Sequence, residues 1–289
     1  MKDASSNVIK SKSTITYPYA TIRITQSRID KGLIAIPMAL AEWFPAHNKA
    51  IEVYLNDSLV SQTKRYSSYA SSTRECRIGG VRQWFQQNNI KSGDEIVIQL
   101  IDKERFIYRL IPERNFILAT QELQHNFDES ESEQEALGTI TTLAEWTRLD
   151  RSNVVLSEYY RLANTLPSEE RQYIKRGVSR ARESAPANLR ALLGDIYKGH
   201  CQVCDFWFFK RDGKPYFEVH HLDPGKDHHP KNVLAVCGNC HNQFEHANVK
   251  QEFNDDWWLV RVSFNERIYP VKQAALITGI EPFFKELFI

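Results

Sequence analysis

Short apolar runs rich in β-branched and aromatic residues, separated by polar turn signals, occupy the chain from about residue 17 to 112. The runs YATIRIT (19–25), LIAIP (33–37), IEVYLN (51–56), EIVIQLI (95–101) and RFIYRLI (105–111) predict strands. Turn signals fall at Asp30–Gly32, Asn56–Ser58 and Ser92–Asp94. One short helix fits around Val81–Asn88, with Val81, Trp84 and Phe85 on one face. Strands of this kind close into a mostly antiparallel barrel with a helix at one end. From Asn115 to about Ser184 the pattern turns helical, with apolar residues three and four apart in LGTITTLAEWTRL (137–149) and VVLSEYYRLANTL (154–166). Pro167 followed by Ser-Glu-Glu predicts a further helix start. Pro186 and Gly194 bracket another short helix, NLRALLGDIY, and WWLVRVSFNERIYPV (257–271) predicts a hairpin.

Composition adds limits more than identity. A chain of 289 residues has room for two domains. Its 42% hydrophobic and 25% charged content is ordinary for a soluble protein, and the absence of a long apolar run predicts no membrane span. The start, MKDASSNVIKSKST, lacks the apolar core of a secretory signal, so residues 1–16 read as a disordered tail and the expected location is cytoplasmic. The net charge of +1 hides two local extremes. The stretch 128–135, DESESEQE, reads as a linker or solvated helix face. The basic segment 171–182, RQYIKRGVSRAR, reads as a phosphate-binding surface or another solvated helix face.

Four of the five cysteines form two C-x2-C pairs, Cys201/Cys204 and Cys237/Cys240, with 32 residues between them. In a reducing compartment this spacing predicts one structural zinc ion held by four thiolates. Cys76 is left over as a lone thiol. Between the pairs lie Glu218-Val219-His220-His221, ending a strand, then Asn232 before an apolar run, and Cys240-His241 opening a helix.

This order resembles the HNH family, the ββα-metal nucleases, in the version that carries a four-cysteine zinc site; the match spans about residues 188–250. The resemblance implies that His221 is the general base, His220 and His241 are ligands of a catalytic divalent ion, and Asn232 braces the loop that orients the base. Glu245, one helical turn after His241, is a third possible ligand, and His246 is less well aimed. Phosphodiester hydrolysis needs a base that titrates near neutrality and a cation to stabilise charge on the phosphorane. The implied reaction is a one-metal in-line attack leaving 5′-phosphate and 3′-hydroxyl ends. Many relatives carry Asp where this chain has His220, so Mg2+ is joined by Mn2+, Co2+ and Ni2+ as the expected ion. His228 and His229 sit in a polar loop and are minor candidates for contact with phosphate or metal, and Lys226 and Lys231 are minor candidates for phosphate contact. Trp207, Phe208 and Phe209 are expected to pack the hairpin between the cysteine pairs rather than stack on bases.

A second resemblance covers about residues 17–112. Ile36-Pro37, Phe44-Pro45, Trp84-Phe85, Asn89-Ile90 and Gly93-Asp94 succeed one another as in the B3-type DNA-binding pseudobarrel. That family grips the major groove with two arms. The first maps to a loop around Gln26, Ser27, Arg28, Asp30 and Lys31, and the second to the stretch 64–77, KRYSSYASSTRECR. Arg28, Arg74, Glu75 and Arg77 are the base-reading candidates, with Lys31, Lys64, Arg65 and the hydroxyls of Tyr66 and Ser67 on phosphates.

The expected architecture is therefore α+β: a tail (1–16), a B3-like pseudobarrel (17–114), a helical linker or dimerisation region (115–184) and an HNH domain with structural zinc (185–289). The expected activity is sequence-specific cleavage of double-stranded DNA by a homodimer. Two alternatives stand beside it. One is a nuclease that reads methylcytosine, for which Tyr66 and Tyr69 are weak cage candidates; the other is a non-catalytic DNA-binding regulator.

Overall fold

The computed structural model describes residues 9–12, 15–68, 76–165, 173–176, 179–182 and 184–276. Contacts divide the chain into two compact units, Met1–Gln124 with Glu145–Arg148, and His125–Ala144 with Leu149–Ile289. The fold is mixed α+β. No described helix is long and apolar enough to cross a membrane.

The first unit runs β1 (Ile9–Lys12), β2 (Ile15–Arg23), α1 (Gln26–Lys31), β3 (Leu33–Ala35), β4 (Lys49–Leu55), β5 (Gln62–Ser67), β6 (Arg77–Gly79), α2 (Arg82–Gln87), β7 (Glu95–Asp102), β8 (Ile107–Pro112) and most of α3 (Glu113–Asp128). The strands form one sheet in the order β1-β2-β7-β8-β4-β5-β6-β3, antiparallel except for the parallel β4–β8 pair. Alternation along β4 buries Ile51, Val53 and Leu55 and leaves their neighbours at the surface. Inward residues from β2, β3, β4, β6, β7 and β8 meet in a single cluster with Leu40, Phe44, Trp84 and Phe85, so the sheet curls around its core. Phe44 is stacked between Tyr66 and Tyr108, at 5.3 and 4.5 Å. The buried Trp84 indole donates to Asn56 Oδ1 at 3.2 Å, which meets its need for a partner. The opposite face of β2, β7 and β8 packs Ile15, Tyr19, Val97 and Ile111 against Phe116 of α3.

The second unit contains α4 (Glu133–Thr147, up to Ala144), α5 (Arg151–Ala163), β9 (Tyr173–Arg176), β10 (Ser179–Arg182), α6 (Ala187–Tyr197), β11 (Glu218–His221), β12 (Val233–Val236), α7 (Gly238–His246), β13 (Val249–Phe253), β14 (Leu259–Phe264) and β15 (Arg267–Pro270). Strands β11 and β12 pair antiparallel, and β13-β14-β15 form a separate three-stranded sheet. Ion pairs fasten the helices: Arg151 to Asp195 at 2.6 Å, Arg190 to Glu133 at 2.8 Å, and Arg161 to both Asp128 and the fully buried Glu158.

Several expectations change. Ile9–Lys12 pairs with β2, so the expected tail of residues 1–16 ends in strand. Strands β5 and β6 were not foreseen, because QTKRYS and RIG hold few apolar residues. The basic segment expected as helix instead holds an antiparallel hairpin, Tyr173–Arg176 with Ser179–Arg182. The helix start expected at Pro167 lies outside the described residues. Helix α6 runs through Gly194, where the Phe217 ring packs, and ends at Lys198 and Gly199, both with positive φ.

Gly32 ends α1 at φ +65°, and a Cβ there would meet Arg82 Cβ at 2.7 Å. Left-handed strain and a clash with α2 act together, so Gly32→Ala should destabilise the first unit by about 1–3 kcal/mol. Urea unfolding monitored by tryptophan fluorescence checks this, and an unchanged midpoint would show that the contact is not maintained.

Candidate metal centre and nucleic-acid interface

The chain reaches the first cysteine pair through a tight turn. Gly199, at φ +84°, sits where a Cβ would come within 2.5 Å of Pro215 Cβ, so only glycine lets the α6 end and the later hairpin approach so closely. The backbone then folds around Cys201: its N–H donates to the Phe206 carbonyl at 3.0 Å, and its carbonyl accepts the Asp205 N–H at 2.9 Å. The second pair lies where β12 passes into α7, with Cys237 Sγ capping the helix by accepting the Cys240 N–H at 3.4 Å. All four sulfur atoms lie within 4.8 Å of one another. The hydrogen bond with Cys240 first, and then the backbone N–H groups of Cys204, Cys237 and Val203, lower the pKa of Cys201 against the opposing effect of burial. A thiolate held by backbone donors within a four-sulfur cluster can hold zinc.

The second cluster uses β11, β12 and α7. Register pairs His220 with Leu234 and His221 with Val233. Alternation puts Glu218 and His220 on one face of β11 and His221 on the other. Ligand atoms of His220, His241 and Glu245 lie within 4.8 Å of one another, and His246 is not among them. His220 is buried and stacks on Phe244, with centroids 4.1 Å apart. Burial, and then the nearby His241, lower its pKa to about 4, so the ring is neutral and its lone pair is available near pH 7.

Glu218 was missed as a functional residue. Its carboxylate contacts His241 Nδ1 on one oxygen and accepts the Tyr216 hydroxyl on the other. The Tyr216 hydrogen bond, and then the one from His241, keep this carboxyl below its usual range despite partial burial. With Nδ1 engaged, Nε2 of His241 is left to act as the ligand atom, as is usual for a metal-binding histidine backed by a carboxylate. The signal was present in the sequence: Glu218 stands two residues before His220, on the same strand face.

Asn232 is buried and ties the loop after β11 to itself. Its Oδ1 accepts the Asp223 N–H at 2.9 Å, and its Nδ2 donates to the carbonyls of Asp223 at 3.0 Å and Asp227 at 2.8 Å. His221 Nε2 lies 2.9 Å from His228 Nδ1, so one ring donates and the other accepts. His229 is not a phosphate candidate. Its Nδ1 accepts the Lys231 N–H and its Nε2 meets the Thr165 carbonyl, both at 3.1 Å. Lys226 lies 3.9 Å from Asp223, and Lys231 sits over the Trp258 ring. A cavity of about 840 Å3 opens beside this loop, lined among others by Asp223, Asp227, Asn232, Phe253 and Trp257.

The sequence-predicted DNA-reading residues fare unevenly. Arg28 and Lys31 stand on α1, a short helix rather than a loop. Lys64 donates to the Gly80 carbonyl at 2.8 Å, so its ammonium is already engaged. Arg65 is exposed on β5 and Arg77 opens β6. Tyr66 is buried with its hydroxyl 3.0 Å from Cys76 Sγ, which removes it both as a phosphate contact and as a cage residue. Arg74, Glu75 and Tyr69 lie outside the described residues. Trp207, Phe208 and Phe209 do not bury themselves in their hairpin; they remain 46%, 41% and 59% exposed.

Two measurements test this geometry. Metal analysis of purified protein should find about one zinc per chain, lost in Cys201→Ser, and zinc-free native protein would refute the four-thiolate assignment. Asn232→Ala removes three part-buried hydrogen bonds and should cost about 2–3 kcal/mol of stability in the second unit, measured by chemical unfolding.

No model of a known protein family matches the chain. Over 60 residues it is 37% identical to the type IV methyl-directed restriction enzyme EcoKMcrA of Escherichia coli (strain K12), a match covering 19% of this chain and 22% of that protein. The Arabidopsis FUS3–DNA complex aligns with 32% of this chain and 92% of its own, at 16% identity and a TM-score of 0.27. The N-terminal domain of Helicobacter pylori LlaJI.R1 aligns with 35% of this chain and 88% of its own, at 15% identity and a TM-score of 0.26. The chain thus has a weak, partial similarity to a restriction enzyme.

Proposed function

We propose that this chain is a metal-dependent endonuclease acting on double-stranded DNA, in which residues 185–289 form an HNH domain that cuts and residues 17–114 form a B3-like barrel that selects the target. The observation that carries this reading is the convergence of His220, His241 and Glu245 beside the four-cysteine cluster. The weak similarity to a restriction enzyme supports it.

Two imidazoles and one carboxylate suit Mn2+, Co2+ or Ni2+ at least as well as Mg2+. His220, His241 and Glu245 would hold a divalent ion, which would supply positive charge to the scissile phosphate and the departing 3′ oxygen. His221 takes the proton from the attacking water, and His228 and the Asn232-braced loop orient its ring. Glu218 fixes the tautomer and direction of His241. A duplex break needs two cuts, so a homodimer is part of the proposal, with residues 115–184 as its contact region.

A second reading is a nuclease that depends on modified bases. It draws on the methyl-directed relative, and on Phe253 and Trp257, whose rings lie 6.1 Å apart on the wall of the 840 Å3 cavity. Matched methylated and unmethylated duplexes separate the two readings, and equal cutting rates would remove the second.

Plasmid incubated with Mn2+ or Mg2+ should be linearised, leaving 5′-phosphate ends. His221→Ala should cut at least about 100-fold more slowly while retaining zinc. Glu245→Ala should raise the metal concentration needed for half-maximal rate. A His221→Ala protein as fast as the parent under several metals would overturn the mechanism. Duplex binding without cleavage under any metal would assign the chain to regulation instead.

A further inference from the structure

The segment Phe206–Tyr216, between the first cysteine pair and β11, forms a narrow two-stranded hairpin. Tyr216 N–H donates to Phe208 O at 3.0 Å, Lys210 N–H to Lys214 O at 2.8 Å, and Phe209 bridges Pro215. Four consecutive aromatics occupy its outgoing strand, and the period of two sends them to opposite faces. On one face Trp207 stacks on His200 at 5.2 Å and meets Phe209 edge-on at 5.2 Å. On the other, Phe206 contacts Phe208, which stacks on Tyr216 at 4.7 Å. Despite these contacts, Phe206 and Phe209 remain 57% and 59% exposed. Four large rings left about half exposed on both faces of a ribbon are costly, since fully burying such a side chain is worth about 1.5–3 kcal/mol.

The tip carries the second observation. Lys210, Arg211 and Lys214 surround a single acid, Asp212, which pairs with Lys210 at 3.6 Å. The third is its root: Tyr216, on the returning strand, hydrogen-bonds Glu218, which holds His241. The ribbon is therefore attached directly to the framework of the candidate metal centre.

We propose that this hairpin enters a groove of duplex DNA next to the phosphate that is cut, with Lys210, Arg211 and Lys214 on phosphates and the aromatic rings against sugars and base edges. The inference rests on the nuclease reading and deepens it by placing substrate contact on the cutting domain itself. A protein partner lying on the surface would cover one face of the ribbon. A groove encloses both faces, and the major groove has the width to admit a two-stranded ribbon. Inserted apolar side chains and basic phosphate contacts are the two chemistries such an entry uses.

The test uses the full chain, its zinc content as a check of folding, and a random-sequence duplex titrated by fluorescence anisotropy without added catalytic metal. Trp207→Ala/Phe209→Ala should weaken binding about tenfold with the salt dependence unchanged. Lys210→Ala/Arg211→Ala/Lys214→Ala should lower the slope of log Kd against log salt by about two to three. Both variants should cut plasmid more slowly than the parent. Unchanged affinity, slope and cutting in zinc-replete variants would overturn the groove assignment while leaving the nuclease reading intact. A parent that binds and shows these variant effects but never cuts would do the reverse. Loss of self-association with unchanged DNA affinity would give the hairpin to a second copy of the chain and overturn the proposal.

Discussion

The second unit depends on four sulfur atoms held in one place. Strands β11 and β12 are four residues each and α7 is nine, too little to bury a core of their own. Cys201, Cys237 and Cys240 are instead part of the apolar cluster that also takes Leu234, Val236, Leu259 and Phe264. A metal ion held by these sulfurs would join the turn after α6 to the β12–α7 junction, segments far apart in sequence. Gln202 reinforces the joint, with Oε1 accepting Ala235 N–H and Nε2 donating to the Lys272 carbonyl, both at 2.7 Å. Zinc held there would couple folding of this unit to loading of its cysteines.

Built on that joint, the candidate centre is arranged in two layers. His220, His241 and Glu245 converge, and behind them Glu218, Tyr216 and Phe244 hold the two imidazoles from the side and from below. The loop carrying Asn232 is rigid by the same logic, because every hydrogen-bonding atom of that amide that has a partner spends it on the loop's own backbone. Rigid support of this kind is what a reacting group needs if its position is to be retained through a reaction.

The range of each signal decided how much of this was legible in the sequence. The four-cysteine cluster was legible because metal ligation demands fixed residue types at fixed short intervals. Strand β4 was legible because burial imposes alternation on it, and β7 and β8 because burial on both faces makes them nearly continuous apolar runs. Strands β5 and β6 were not, since Gln62, Thr63, Arg65 and their neighbours leave mostly polar side chains at the surface. Tyr66 reads locally as a surface hydroxyl, and its burial against Phe44 is a tertiary fact with no local trace. Glu218 had a local trace and needed the face of β11 to give it meaning.

Cys237 is both a member of the sulfur cluster and the cap of α7, and this sets how freely the chain can change its length. The rotation of α7 about its own axis is fixed at its first turn, and each residue added along it rotates the remainder of the helix by about 100°. His241 comes directly after the last cysteine and Glu245 one turn later. An inserted or deleted residue between Cys240 and Glu245 would leave the four sulfurs in place and swing His241 or Glu245 away from His220. The hairpin from Phe206 to Tyr216 obeys no such phase rule, since both its ends are anchored and its tip is free. Length can therefore drift at the tip, while the segment from Cys237 to Glu245 must keep its count.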